Sequence, residues 1–350
     1  MTLKKAMAEM SGGVDSSTAA AILLEQGFDV CGVTFCTVPG TAGGKSVRDA
    51  KLVADRLRIP HSVIDLSALF ERRVVDYFIR EYKSGRTPNP CAACNRHIKF
   101  GPPLLEAAER LGCGYIAAGH YAVSEAGELR RGADPQKDQS YFLYPILAAP
   151  MERILFPLGA MTKTETRALA RKLNLPTADK GESQDICFVP GTDYAAFLRS
   201  RGSEAVAAPG DIVDIDGNVI GAHNGVHNYT VGQRKGLGAL GKPMYVKQII
   251  PGENKVIVAE DCQIISTEAV IEDAVTAKTR NLTIGVRCAA QIRYRSPAVK
   301  AEVVEVTDKD GSDGLTIRIR FDEPVRAVSP GQAAVLYDND TVIAGGTIRG

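Results

Sequence analysis

The sequence predicts an α/β fold: a doubly wound parallel sheet, followed by a small β-rich central domain and a C-terminal antiparallel β-barrel. Three observations predict it. Short β-rich runs alternate with amphipathic helical stretches through residues 1–204. From there on, short β-type runs are separated by Gly, Asn and Asp turns. Near the start, Ser11-Gly12-Gly13-Val14-Asp15-Ser16-Ser17 falls between a short N-terminal segment and a helix beginning at about Ser16. Strands alternating with helices imply parallel pairing, with ligands held at the carboxyl ends of the strands.

The elements follow in order. A first strand precedes the loop, although Lys4, Lys5 and Glu9 make it less apolar than expected. The first helix runs to Gln26. Phe28–Phe35 is β-rich, and Lys45–Leu57 has apolar residues at helical spacing. His61–Leu66 is strand-like, Leu69–Tyr82 an amphipathic helix, Leu104–Leu111 a helix and Tyr115–Gly119 a short strand. Thr162–Leu173 reads as a helix with Thr162 as N-cap and Glu165 as its capping-box partner. The texture changes near Ala205–Pro209, which sets expected domains at 1–204, 205–266 and 267–350. The middle block predicts strands at Asp211–Ile215, Val219–Ile220, Tyr245–Ile250 and Lys255–Ala259. The last block predicts them at Arg287–Arg293, Lys300–Val306, Leu315–Phe321 and Ala333–Tyr337. Its alternation of apolar and polar residues suits half-buried antiparallel strands.

Net charge of +1 and 45% hydrophobic residues describe an ordinary globular chain, so any nucleic-acid surface has to be local. Met1–Met10 holds lysines but no apolar core of signal-peptide length, and no apolar run approaches a membrane span. A cytoplasmic protein without a membrane partner is expected. Its eight cysteines would then be reduced, pointing to metal, sulfur or redox chemistry before a disulfide framework.

The Ser11–Ser17 loop is a phosphate cradle. Its glycines permit a tight turn and close backbone approach, and the following helix N-terminus offers free N–H groups to an anion. It lacks the Gly-Lys-[Ser/Thr] ending of P-loop ATPases, hence any lysine for the outer phosphates. Gly40–Ser46 imitates such a loop, but the required first glycine falls at Pro39, so it reads as a flexible loop. Cys91 and Cys94 form a C-x-x-C in a turn-rich segment, where two thiols can converge on a metal or exchange a disulfide. Cys187 is a third candidate. Cysteines 31, 36, 113, 262 and 288 mostly sit in apolar stretches and read as small buried hydrophobes.

Six separated motifs occur in order: the Ser11–Ser17 loop, Thr87-Pro-Asn-Pro with Cys94-Asn, Gly119-His120-Tyr121, Lys137–Leu143, Ser183-Gln-Asp-Ile-Cys187-Phe and Tyr229–Gly238. With them the chain resembles the bacterial tRNA-specific 2-thiouridylases, members of the PP-loop ATP pyrophosphatases with an adenine nucleotide alpha hydrolase-like fold. The resemblance implies an ATP- and Mg2+-dependent sulfurtransferase in which Met10, Ser11, Gly12, Gly13, Val14, Asp15, Ser16, Phe35 and Gly119 hold ATP. The wobble uridine's C2 oxygen is adenylated with release of pyrophosphate. Cys187 receives persulfide sulfur from a sulfur-relay protein or cysteine desulfurase, and Cys94 is the partner thiol. Sulfur replaces AMP at C2, and the two cysteines end as a disulfide or are reduced. The resemblance assigns Asn89, Pro90, Cys91, His120, Lys137, Asp138, Gln139, Arg293, Tyr294 and Gln332 to tRNA.

Two residues depart from the family pattern. Cys91 stands where many members carry Asp, and Glu9 where the family usually has Gly. Cys91, Cys94 and Cys187 would together supply three thiolates to a [4Fe–4S] cluster, an alternative route for sulfur. His120 reads, without the resemblance, as a satisfied histidine at a strand end.

Basic residues segregate into acid-free blocks at 83–100, 217–252 and 274–301, which suits a phosphate-tracking surface spread over all three domains. A single extruded base entering the site fits such a grip. A monomer is expected. Competing readings are a PP-loop synthetase acting on another substrate, which needs neither Cys94 nor Cys187, and a non-catalytic RNA-binding iron–sulfur protein, which needs no intact phosphate loop.

Overall fold

The computed structural model describes residues 4–181, 186–189, 191, 194–202, 208–308 and 314–349. Ser183-Gln184-Asp185 of the fifth motif and the expected boundary at 204/205 lie outside the described residues.

The N-terminal part carries strands β1 (Lys5–Glu9), β2 (Asp29–Cys36), β3 (His61–Asp65) and β4 (Tyr115–Ala117). A hairpin, β5 (Ala122–Glu125) and β6 (Glu128–Arg131), and a short β7 (Ile154–Leu155) follow. Five of them form a wholly parallel sheet in the order β3-β2-β1-β4-β7. The first strand tolerates its polar ends because only Ala6, Met7 and Ala8 must be buried. Successive side chains of β1 point to opposite faces. Ala6 and Ala8 pack with α1 (Val14–Glu25) and α2 (Lys45–Leu57), and Met7 packs on the other side.

The amphipathic stretch after β3 forms one continuous helical run, α3 (Ser67–Phe70) and α4 (Asp76–Lys83), joined by a π-helical turn at Glu71–Val75. The C-x-x-C segment forms α5 (Pro90–Cys94), which widens into a second π turn at Asn95–Lys99. Then come α6 (Pro102–Arg110), α7 (Ser140–Leu143) and α8 (Lys163–Lys172). The expected capping box starts α8: Thr162 Oγ1 accepts from the Glu165 amide at 3.3 Å, and Glu165 Oε2 accepts from the Thr162 amide at 2.7 Å. A short α9 (Tyr194–Ser200) precedes the central part.

There β8 (Gly210–Val213), β9 (Val219–His223), β10 (Tyr245–Ile250) and β11 (Lys255–Ala259) form a sheet in the order β10-β11-β8-β9. Its apolar face packs against α4 and α9, with Phe78 at the centre of the cluster. The rest is a barrel of β12 (Ile265–Thr276), β13 (Arg287–Gln291), β14 (Val299–Asp308), β15 (Leu315–Arg326), β16 (Ala333–Asp338) and β17 (Thr341–Ile348). Its strands run β12-β15-β14-β13-β16-β17, and pairing of β12 with β17 closes the ring.

Two findings differ from the sequence reading. The β5–β6 hairpin leaves the parallel sheet and adds to the barrel through Arg130 opposite Thr341. Cys262 is exposed, because it occupies a one-turn helix between β11 and β12 rather than a strand; Cys31, Cys36, Cys113 and Cys288 are buried as expected. Among the described residues no helix is long and apolar enough to cross a membrane.

Phe78 is fully buried and sits edge-on to Tyr82 and Phe188 at centroid separations of 4.8 and 5.2 Å. Phe78→Ala is expected to cost about 3–5 kcal/mol in urea unfolding. Leu52→Ala, at an exposed position, is expected to stay within about 0.5 kcal/mol. A Phe78 variant as stable as the wild type would contradict this packing.

Candidate functional site

From β1 the chain winds outward through β2 and β3, then returns to the other side of β1 at β4. The crevice at such a reversal, beyond the carboxyl ends of the strands, is where ligands bind in open α/β sheets. Both sequence-expected ATP elements arrive there, the Met10–Ser16 loop after β1 and Gly119 after β4. Gly12 has φ of +70°, a conformation that favours glycine. Gly119 is required by closeness instead: a Cβ there would lie 2.6 Å from the Ser16 amide nitrogen. The loop binds itself into shape. The Ser11 amide donates to Ser16 Oγ at 3.1 Å, and the Ser17 hydroxyl donates to the Gly13 carbonyl at 2.7 Å. Gly13 caps α1 without a side-chain hydrogen bond, so first-turn amides stay open to an anion. Phe35 lies near the carboxyl end of the adjacent β2, and Met10 is buried with its carbonyl accepting from Thr34 at 2.6 Å.

Two lysines from later in the chain supply the positive charge that the loop lacks. Lys163 Nζ, from the first turn of α8, holds both Asp15 carboxylate oxygens at 2.6 and 2.7 Å. The Tyr121 hydroxyl donates to Asp15 as well, at 2.9 Å. Lys180 Nζ donates to the Gly12 carbonyl at 2.7 Å and pairs with Asp49 at 2.6 Å. Lys180 thereby holds the Asp49 carboxyl below its usual range. Sequence reading missed both lysines. The only signal was position, Lys163 at the start of a capped helix and Lys180 just before the Cys187 motif.

A second locus lies beside the first. Lys99, at the end of the π turn after α5, forms an ion pair with Glu9 at 3.7 Å. Cys91, Cys94 and Cys187 all lie within electrostatic reach of Lys99. Cys187, distant in sequence, is thus a neighbour of the two thiols of the C-x-x-C segment. Cys187 is anchored by Phe188, which packs on Phe70, Phe78 and Phe197 at 5.6, 5.2 and 5.5 Å. Cys91 and Cys187 present accessible surface and Cys94 is half-buried, yet loss of hydration raises all three thiols, Cys94 to about 12. Thiols that line a cleft behave in this way, with a solvent opening on one side and dense protein on the others. Lys99 opposes the shift by favouring the thiolates. Burial tends to lower the Lys99 ammonium, but Glu9 and the thiols outweigh it and hold it charged.

Glu9, a departure from the family pattern, therefore neutralises this lysine. Its second carboxylate oxygen, Oε2, is buried with no hydrogen-bond partner among the described residues. Among those residues no three His, Cys, Asp or Glu side chains are disposed to hold a metal ion. Cys91, Cys94 and Cys187 lie within electrostatic reach of one another as well as of Lys99, but they are not disposed as a metal site, so the iron–sulfur alternative gains no support here.

The residues assigned to tRNA divide into two groups. Cys91 and Lys137 are within electrostatic reach of Tyr294, whose ring also packs 4.3 Å from that of Phe142. Others are scaffolding. Asn89 Oδ1 caps α5 by accepting from the Ala92 amide at 3.2 Å, with Pro90 in its first turn. Asp138 accepts from Gly132, Ser140 and Arg131. Gln139 Oε1 accepts from the Tyr121 amide, Gln332 Nε2 donates to Thr87, and Arg293 donates to the Ala327 carbonyl. His120 is buried and neutral, packed against Phe100 and Phe156; its Nδ1 has no partner among the described residues, so it is not a satisfied strand-end histidine.

The basic blocks need correction, because acid-free in sequence is not acid-free in space. Arg86 pairs with Glu81 and Glu272, Arg280 with Glu128 and Asp338, Arg287 with Asp322, and Lys242 with Glu260. Arg234, Lys235, Lys247, Lys278, Arg295 and Lys300 form no ion pair among the described residues.

Comparison with known proteins gives a consistent result. Family models described as a tRNA methyl transferase HUP domain, a tRNA methyl transferase PRC-barrel domain and an aminomethyltransferase beta-barrel domain match residues 4–191, 196–260 and 266–348. The tRNA-specific 2-thiouridylase MnmA of Carboxydothermus hydrogenoformans is 47% identical, covering 99% of this chain and 98% of that protein. Its counterpart from Acetivibrio thermocellus is 43% identical with all of both chains covered. Among solved structures, the U34-tRNA thiolase NcsA from Methanococcus maripaludis with its [4Fe-4S] cluster is 18% identical with a TM-score of 0.35, over 59% of this chain and 64% of that one.

The raised Cys94 thiol makes a direct prediction. Iodoacetamide should alkylate Cys94 in the ligand-free protein more slowly at pH 8 than it alkylates a free thiol, with a rate still climbing above pH 9. Lys99→Ala, which removes the ammonium favouring the thiolate, should slow it further. Peptide mass spectrometry of timed quenches reads both, and unchanged labelling in the Lys99 variant would remove Lys99 from the thiol environment.

Proposed function

We propose, from the premise that the chain belongs to the tRNA-specific 2-thiouridylase family, that it thiolates the wobble uridine of tRNA anticodons at C2 using ATP. The observation carrying this reading is the gathering of Cys94 and Cys187 at Lys99, one residue upstream of the phosphate loop through Glu9. A synthetase acting on another substrate would have no use for that pair. Methyl transfer, the wording of the family models, would use neither the thiols nor the loop.

In this reading residues 1–204 carry both chemical steps, while residues 205–266 and 267–350 bind tRNA. The loop from Met10 to Ser16 and Gly119 cradle ATP, and Lys163 and Lys180 carry the charge for its outer phosphates. Asp15 would be the carboxylate to hold Mg2+, an ion that favours one or two carboxylates plus phosphate oxygens and would supply further positive charge to the phosphates. The uridine C2 oxygen attacks the α-phosphorus and pyrophosphate leaves. Adenylation matters because a carbonyl oxygen is otherwise a poor leaving group. A sulfur-relay protein or cysteine desulfurase loads Cys187 as a persulfide. Its outer sulfur attacks C2 and AMP departs; the Cys94 thiolate then takes the inner sulfur, breaking the S–S bond. The products are C2=S and a Cys94–Cys187 disulfide, which a thiol reductant reopens. The raised Cys94 thiol keeps that nucleophile protonated until it is needed, and Lys99 stabilises the anion when it forms.

The test is a reconstituted assay with ATP, unmodified tRNA, a cysteine desulfurase and cysteine. Wild-type protein should yield 2-thiouridine with matching AMP and pyrophosphate. Cys187→Ser should lose thiolation yet keep tRNA-dependent pyrophosphate release. Lys163→Ala should slow that release about 100-fold or more, as expected for loss of a charge that stabilises the transition state. Thiolation undiminished in the Cys187 variant would reject the persulfide route.

A further inference from the structure

A cavity of about 300 Å³ opens on the side of α5 away from the thiols. Its floor includes Ala92, Ala93 and Arg96. Residues two apart on a helix point in roughly opposite directions, and residues three or four apart share a face. Ala93 is therefore turned away from Cys91, while Cys94 shares the Cys91 face. One short helix presents sulfur to one space and a wall to another.

The other walls come from α4, its preceding π turn and the barrel strand β12. Five arginines line the cavity, Arg72, Arg73, Arg80, Arg86 and Arg96, against three carboxylates, Glu81, Glu272 and Asp273. Arg86 takes up two of the carboxylates, Glu81 at 2.8 Å and Glu272 at 2.7 Å, and Arg349 reaches Glu272 as well, at 3.3 Å. Arg72, Arg73, Arg80 and Arg96 form no ion pair with any described carboxylate; Arg80 lies over the Tyr77 ring at 5.7 Å. His97 completes the wall and is neutral near pH 7, pushed down to about 4 by burial and by Arg96 and Arg73.

Unpaired guanidinium groups around a concavity repel one another unless an anion joins them. Their planar donor forks match phosphate oxygens in particular. We propose that this cavity is a phosphate-binding site, filled by a phosphate of the RNA backbone or by a free phosphate anion. Its RNA form rests on the tRNA reading above; its free-anion form does not. Either occupant would join α4, α5 and β12, and so brace the helix that carries Cys91 and Cys94 against the barrel.

Arg73 and Arg80 are exposed, so the double variant Arg73→Gln/Arg80→Gln is expected to keep its fold, checked by an unchanged melting temperature. Arg86 is left intact because it holds the two parts together. Binding of unmodified tRNA would be measured across a salt series. With an RNA phosphate as occupant, the variant binds about 10-fold more weakly and the slope of log Kd against log salt falls by roughly two, while ATP affinity is unchanged. In a second arm, inorganic phosphate is titrated with a non-hydrolysable ATP analogue already filling the loop. A free-anion site then shows as one phosphate bound by the wild type and none by the variant. A folded variant with unchanged tRNA affinity, salt slope and phosphate binding overturns the proposal. Wild-type protein that fails to bind tRNA at low salt would instead count against the tRNA reading, and the phosphate arm alone would decide.

Discussion

The contact of the Gly119 backbone with the start of α1 is the constraint on which the site depends. It lets the end of β4 come as close to the β1 loop as two main chains can, so both edges of the switch-point crevice face one ligand volume. Once that approach is made, other parts converge on the same loop. Tyr121, two residues beyond Gly119, reaches Asp15; α8 brings Lys163; the segment ahead of Cys187 brings Lys180 to Gly12 and Thr177 to Ser17. A bulkier residue at 119 would push β4 outward and loosen each of these contacts together.

The loop and the thiol cluster are linked through the end of β1. Glu9 ends β1 and Met10 begins the loop, so the carboxylate that holds Lys99 sits one residue, about 3.5 Å of chain, from the phosphate cradle. In the proposed reaction an activated base would therefore not have to travel between steps, which matters for an intermediate that water can hydrolyse. Charge is arranged to suit. Lys99, Arg86 and Lys163 are each partly or wholly withdrawn from water, and each has its carboxylate. An unpaired ion in such places would cost several kcal/mol.

Much of the fold could be read from the chain because its signals are local. The Thr162–Glu165 capping box, the Lys45–Leu57 helix and the alternation along Leu315–Phe321 are each set by residues a few positions apart. The 122–131 hairpin escaped because its pairing is with residue 341, and nothing within the hairpin signals a partner so far away. The same divide runs through the site. The Ser11–Ser17 loop and C-x-x-C are contiguous and could be named. Lys99, Lys163 and Lys180 look like ordinary surface lysines until the fold sets them beside Glu9, Asp15 and Asp49. The basic blocks erred in the opposite direction, since their neutralising acids come from distant strands.

The same hairpin bears on how the molecule can be divided. Leu129 of β6 is fully buried, and Arg131 both stacks over the Tyr337 ring at 3.7 Å and bonds to Gln291 at 3.0 Å. A truncated chain ending before the barrel would leave the β6 edge at Arg130 and Arg131 without its backbone partners, next to apolar surface that β16 and β17 normally cover. Such an edge recruits strands from other molecules. The N-terminal part is therefore expected to self-associate when cut free, however complete its own parallel sheet.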